Sequence, residues 1–157
     1  MKNQASIDIQ RPITDVFILA TDHIAQWSGF VAASRPKHIA EDGGVGTTFL
    51  FSVRKPNRQA TLEVEAEIIE YTPPTRSAFV MRSRFHEIEV ALDFESPSED
   101  RTRVTQYCDW RTKGVWHLLL GLLETFIGKH LDRLQAAELD RLRVHCESGA
   151  PATPGGS

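Results

Sequence analysis

The order of hydrophobic periods along the chain predicts an α+β domain: one strand, two short helices, about six antiparallel strands and a long closing helix. Three observations carry this. From about Ser34 to Thr112 apolar side chains recur at every second position, the period of half-buried strands. Around Lys113 the period changes to that of an amphipathic helix. Before the strand run stand one short alternating segment and two short helical patterns, too little helix to form a bundle.

Taken in order, Ala5, Ile7 and Ile9 alternate with Ser6, Asp8 and Gln10, which predicts the first strand. Pro12 opens a helix that turns Val16, Phe17 and Ala20 to one side, proline being suited to a first turn whose N–H has no partner. Asp22 is placed to cap a second short helix holding Ile24 and Trp27, and Ser28-Gly29 ends it. Gly43-Gly44 and Gly46 mark a turn before Thr47, Phe49, Phe51 and Val53, and Pro56-Asn57 marks the next. Leu62, Val64, Ala66 and Ile68 alternate with Glu63, Glu65 and Glu67, one face dry and the other anionic and solvated. Pro73-Pro74 interrupts, and Ala78 to Arg84 forms a strand with Phe79 and Met81 on one face and Arg82 and Arg84 on the other. His86, Ile88, Val90, Leu92 and Phe94 share a face opposite Glu87, Glu89 and Asp93. After a turn at Ser96 to Asp100, Val104, Gln106, Cys108 and Trp110 face away from Arg103, Thr105, Tyr107 and Asp109. The closing helix carries Trp116, Leu119, Leu120, Leu123, Ile127, Leu131 and Leu134 as its apolar stripe, with Leu139 and Leu142 extending it to about His145. Lys129, Asp132, Arg133, Glu138 and Arg141 are expected on its wet side. At ~30 residues and ~45 Å it is long enough to cross a whole sheet. Such a sheet curls under its own twist, and the helix is the element able to cover its concave face.

The chain has 157 residues, enough for a single domain with a sizeable core. Its 18 basic and 21 acidic residues leave a net charge of −3, which argues against gripping nucleic-acid phosphates. Cys108 and Cys146 lack metal or redox spacing and are expected as free thiols in a reducing compartment. Met1 to Ser6 shows no apolar leader core, and Val115 to Ile127 is too short to span a bilayer. The expectation is a soluble, cytoplasmic protein, monomeric or homodimeric, with no nucleic-acid partner and no integral membrane association. Residues 147–157 offer no large apolar side chain and are expected to form a flexible tail.

Several local motifs occur in one sequence: Ile7-Asp8-Ile9, Arg11-Pro12, Asp15-Val16-Phe17, Asp22, Trp27, Gly44-Val45-Gly46-Thr47, Arg101-Thr102-Arg103-Val104-Thr105, Trp110, Lys113-Gly114 and Leu118-Leu119 before the closing helix. Together they resemble the SRPBCC, or START-like, superfamily and within it the polyketide cyclase/dehydrase-like branch. The resemblance spans roughly residues 3–146 and implies the helix-grip fold: a curved antiparallel sheet of about seven strands, two short helices after the first strand, and a long C-terminal helix across the concave face. Residues 1–146 would then form one ligand-binding domain. Because that fold is commonly hollow, the resemblance also implies a cavity for a small, mainly hydrophobic molecule such as a lipid, a polyketide or an aromatic metabolite.

The inward faces then give the candidate ligand-binding residues: Phe49, Phe51, Phe79, Met81, His86, Ile88, Val90, Gln106, Cys108 and Trp110 from the sheet, and Trp116, Leu120, Leu123 and Ile127 from the helix. A packed core is the plainer reading of the same stripes. Gln106 and His86 are the polar exceptions in register with apolar neighbours, and a buried amide or imidazole needs a partner that a ligand can supply. His117 and His130 belong more naturally to the helix surface. No HExxH, GxSxG or phosphate-cradling GxxxxGK occurs, so no metal and no cofactor are expected. The alternative to a binding protein is a cyclase/dehydrase-type enzyme with His86 as general acid or base, since an imidazole titrates near working pH.

Overall fold

The computed structural model describes residues 1–55, 59–84, 86–113 and 124–155, with backbone only for 124–127. It shows β1 (Lys2–Ile9), α1 (Ile13–Asp22), α2 (Ile24–Trp27), β2 (Val31–His38), β3 (Thr48–Arg54), β4 (Thr61–Thr72), β5 (Arg76–Arg82), β6 (His86–Ser98), β7 (Arg101–Thr112) and a C-terminal helix, α3 (Glu124–Glu147). The strands form one curved antiparallel sheet in the order β1-β7-β6-β5-β4-β3-β2. Each strand from β2 to β7 pairs with the next in sequence, as short turns dictate. The α1–α2 pair carries the chain from one edge of the sheet to the other.

The period-two pattern divides the sheet faces as expected. On the outer face the glutamates of β4 are not merely solvated. Glu63 pairs with Arg35 at 3.0 Å, Glu65 with Lys37, and Glu67 with Arg82. Further along, Arg76 holds both Glu70 and Asp93, and Arg103 holds Asp8. Opposite charges directly across a ladder help fix its register. Asp22 departs from expectation: α2 starts after His23 without a side-chain cap, and the Asp22 carboxylate accepts bonds from Thr21 Oγ1 and the Gly155 N–H instead.

The concave face is covered in two parts. Ile9, Leu92, Phe94 and Val104 of the sheet pack with Val16, Phe17, Leu19, Trp27, Leu139, Leu142 and Cys146 of the helices. A smaller cluster of Val31, Phe51 and Ala66 lies toward the β2 edge, joined by Phe49, Phe79 and Met81. The last turns of α3 therefore carry the main core. Asn3 Nδ2 reaches Asp132 Oδ1 at 2.6 Å and Gln135 Nε2 donates to the Gln106 carbonyl at 2.8 Å, which places α3 over the β1–β7 side.

Glu138, expected on the wet side, is buried. Its Oε2 accepts from Ser28 Oγ and its Oε1 from the Gly29 N–H, each at 2.7 Å. Ser28 Oγ in turn accepts the N–H groups of Phe30 and Val31, both at 3.0 Å. A helical stripe alone cannot reveal this, because the carboxylate is drawn inward by donors far away in sequence. A Cβ at position 29 would lie 2.6 Å from Glu138 Oε1 and 2.8 Å from Arg141 Cζ, so a side chain there would displace the bonded carboxylate or the Arg141 guanidinium. The segment after α3, expected to be a flexible tail, makes specific contacts. Ala150 and Ala152 touch the main core, the Thr153 carbonyl lies 2.8 Å from His23 Nε2, and the Gly155 N–H meets Asp22.

Removing the Glu138 carboxylate takes the acceptor from the buried Ser28 hydroxyl and the half-buried Gly29 N–H, at about 1.5–3 kcal/mol for a charge-assisted bond. Glu138→Ala is therefore expected to lower the urea midpoint with an unchanged slope. An unchanged midpoint would show that the clamp carries no stability.

Candidate functional site

A cavity of about 360 Å³ opens between the two parts of the core, under the α1–α2 corner. Phe49, Phe51, Phe79, Ile68 and Leu92 form its sheet wall, while Ala20 and Ile24 face them from the helices. Phe49 and Phe51 stack at 6.2 Å between centroids, and Phe79 meets Phe51 edge-on at 5.7 Å, so the aromatic wall is interlocked. Pro36, Ile39, Asp42 and Gly43 form the rim, where Ile39 is 62% exposed. Thr21, Asp22, Ser34, Thr47, Tyr71 and Ser77 supply the remaining polar side chains.

A bulge in β4 builds part of this wall. Ile68 pairs with Phe79, but Glu70 pairs with Ala78, so Ile69 is one residue too many. The extra residue reverses the side-chain alternation beyond it. Glu70 thereby joins the outer face and its ion pair with Arg76, while Tyr71 turns into the cavity, its ring 5.7 Å from that of Phe17. Burial, then the nearby carboxylates of Asp22 and Asp42, push the Tyr71 phenol above its ordinary pKa. Tyr71, Ser77, Leu92 and Gln106 occupy one row across β4, β5, β6 and β7. Ser77 is only 7% exposed, and its small side chain leaves space between Phe79 and Leu92. Thr47 Oγ1 accepts the Ala40 N–H at 3.1 Å and so ties the β2–β3 loop to the wall. Gly46 sits at φ +90°, a conformation that side chains rarely adopt, in the turn that delivers Thr47.

Of the candidate residues, Phe49, Phe51 and Phe79 line the cavity. Met81 packs against the smaller cluster beside them. Ile88, Val90, Gln106, Cys108 and Trp110 share the concave face through their cross-strand register but stand outside this cavity's lining. His86 is in register with the same row but is exposed at the first residue of β6, where its backbone closes a turn with Ser83. His130 is exposed on α3. Trp116, His117, Leu120 and Leu123 lie outside the described residues, as does the side chain of Ile127. Sequence patterning missed Tyr71, because of the bulge, and Ser77, whose size gave no apolar signal. The adjacent isoleucines 68 and 69 were the available clue to the bulge.

A second polar group lies between α3 and the β1–β7 edge. Gln135 Nε2 bonds the Gln106 carbonyl and lies 3.6 Å from Cys108 Sγ. The side-chain oxygens of Asn3, Gln106 and Gln135 are buried without partners among the described residues. Such oxygens suit a donor such as a water or a ligand hydroxyl. Among the described residues no three His, Cys, Asp or Glu side chains converge on a point.

The fold and its hollow define a helix-grip domain, a curved sheet closed by a C-terminal helix around space for a small molecule. The chain belongs to the family described as polyketide cyclase / dehydrase and lipid transport, whose sequence profile matches residues 2–147. No curated protein matches it closely enough to count as a relative. Among solved structures it is similar to TTHA0849 from Thermus thermophilus, with a TM-score of 0.74 and 18% identity over 96% of this chain and 100% of that one. It is also similar to the Zhui aromatase/cyclase from Streptomyces sp. R1128, with a TM-score of 0.73 and 12% identity over 97% of this chain and 96% of the other. A START superfamily protein from Mycobacterium smegmatis matches with a TM-score of 0.63 and 9% identity, over 90% and 98%. At such identities these likenesses establish the shared fold.

Burial pushes both thiols up to about 12, Cys146 being further influenced by Arg11, Glu147 and Asp15. The unfolded chain releases those protons near pH ~8.5, so it holds fewer protons than the native state above that point. Stability is expected to fall as pH climbs from about 9 toward 12. Replacing both cysteines with alanine should flatten that part of a urea-midpoint profile; an equally steep profile would assign the loss to other groups.

Proposed function

We propose that this protein binds a small, mainly hydrophobic molecule in the cavity between the concave sheet face and the α1–α2 corner. The observation that carries this reading is the 360 Å³ hollow walled by Phe49, Phe51 and Phe79 and left between two packed clusters. Its size falls in the range of ~300–1,000 Å³ typical of small-molecule sites. Burying roughly 200 Å² of ligand apolar surface at ~25 cal/mol per Å² supplies about 5 kcal/mol before association costs. Apolar contact alone thus gives weak binding, and the hydroxyls of Ser77 and Tyr71 decide orientation. The family description, with its mention of lipid transport, supports the same class of ligand.

The aromatase/cyclase likeness favours a second reading, in which the cavity holds a reactive polyketone in a folded conformation and a polar group moves a proton. His86 is a poor candidate for that group because it is exposed and outside the cavity wall. Binding is therefore the primary reading, and cytoplasmic residence is retained as part of it. No described helix is long and apolar enough to cross a membrane.

Native mass spectrometry of protein purified from its own host is expected to show a co-purifying small molecule. Its conversion on incubation with fresh protein would favour the enzyme. Ser77→Phe fills the narrow part of the hollow. It is expected to weaken uptake of a neutral naphthylamine fluorophore by about tenfold, the loss of roughly one well-buried group, with the circular dichroism spectrum preserved. Undiminished uptake by that folded variant would place the binding site elsewhere.

A further inference from the structure

The charges around the cavity are arranged unlike those on the rest of the sheet. Among the described residues lining it, the ionised side chains are Asp22 and Asp42, and no Lys, Arg or His accompanies them. They come from different elements, the end of α1 and the β2–β3 loop. A methyl group on Gly44 would stand 3.1 Å from the Tyr71 ring and 3.3 and 3.4 Å from the two Asp42 oxygens, so ring and carboxylate flank one point. Asp22 lies close enough for its charge, like that of Asp42, to act on the Tyr71 phenol.

Neither carboxylate has a basic partner among the described residues. Asp22 accepts only from Thr21 Oγ1 at 3.2 Å and the Gly155 N–H at 2.7 Å. Asp42 accepts only the Gly44 N–H at 2.9 Å, through Oδ1. On the outer face, by contrast, Glu63, Glu65, Glu67, Glu70 and Asp93 each hold a basic side chain. A further observation points into the same hollow. Ser77, more than nine-tenths buried and lining the cavity, has no hydrogen-bond partner for its hydroxyl among the described residues. The wall beneath is aromatic, and aromatic faces attract cations.

We infer that the cavity selects an amphiphile whose polar end is a protonated amine, with Asp22 and Asp42 facing the cation at the rim and the phenylalanines holding the apolar body. This rests on the binding reading above and names its ligand class. A carboxylate head of the same length meets two uncompensated negative charges, and like-charge juxtaposition is penalised. Ser77 and Tyr71 serve equally for a neutral hydroxyl, so they do not set the charge preference.

The test is displacement of the neutral naphthylamine fluorophore by decylamine, decanol and decanoate at neutral pH. Decylamine is expected to compete at a concentration about tenfold or more below that of decanoate, with decanol between, an attraction and a repulsion each of surface ion-pair size. Asp42→Asn should shrink the amine advantage, and Asp22→Asn with Asp42→Asn should erase it. Should the double variant fail to fold, Asp42→Asn alone decides, because position 42 is in an exposed loop and the asparagine amide oxygen can still accept the Gly44 N–H. Decanoate competing as well as decylamine, or an amine advantage unmoved in the variants, overturns the inference while decanol binding keeps the cavity reading. If neither the fluorophore nor decanol binds, the cavity reading fails and the inference fails with it.

Discussion

A wide antiparallel sheet with one apolar face must have that face covered, and among the described residues one 24-residue helix and two short ones do so. The C-terminal turns of α3 bring Leu139, Leu142 and Cys146 onto Ile9 and Val104, while α1 adds Val16, Phe17 and Leu19. That settles the β1, β7 and β6 side. Toward the opposite edge Val31, Phe51 and Ala66 form a second cluster with Phe49, Phe79 and Met81, joined by Ile24 and Ala25 of α2. The hollow lies where these two coverings fail to meet. Filling it would need larger side chains at positions such as Ser77 and Ala20, both of which are small.

The two coverings must also be held in a fixed relation, and a buried polar bridge does this. Glu138 reaches from α3 to Ser28 and Gly29, at the point where α2 gives way to β2. One carboxylate thereby couples the helix over the β1 side to the strand at the far edge. A purely apolar contact would tolerate sliding, whereas hydrogen bonds to two fixed donors define position. The space around Gly29 shows the cost of that approach, since even a methyl group would collide with the clamp.

Alternation was strong enough in β4, β6 and β7 to assign both faces from the residues alone, because one face is dry and the other carries charge. The resemblance supplied the curved sheet and the covering helix, and the family match agrees with it. Phe49, Phe51 and Phe79 were recoverable as cavity wall because they sit on regular strands. Tyr71 was not, since a bulge resets parity and leaves only a doubled isoleucine as a trace. Glu138 was misplaced because helical periodicity treats a carboxylate as solvent-facing, while its partners lie more than a hundred residues away. His86 was in register with the inward row yet stands at the strand's exposed first residue, where register no longer implies cover.

The outer and inner faces solve their electrostatics differently, and that contrast bears on function. Across the outer face, acidic and basic side chains of different strands pair, as Arg35 does with Glu63, Arg76 with Asp93, Arg82 with Glu67 and Arg103 with Asp8, so these charges are answered within the protein. Such exposed pairs add little stability, but they discourage a misregistered ladder. At the cavity the Ser77 hydroxyl has no hydrogen-bond partner among the described residues, and outside it, between α3 and the β1–β7 edge, the side-chain oxygens of Gln106 and Gln135 are likewise without one. A core selected only for stability would pair such groups or replace them with apolar ones, since each unpaired buried polar atom is unfavourable. The retention of the Ser77 hydroxyl beside a space of ligand size makes physical sense if its missing partner arrives with the bound molecule.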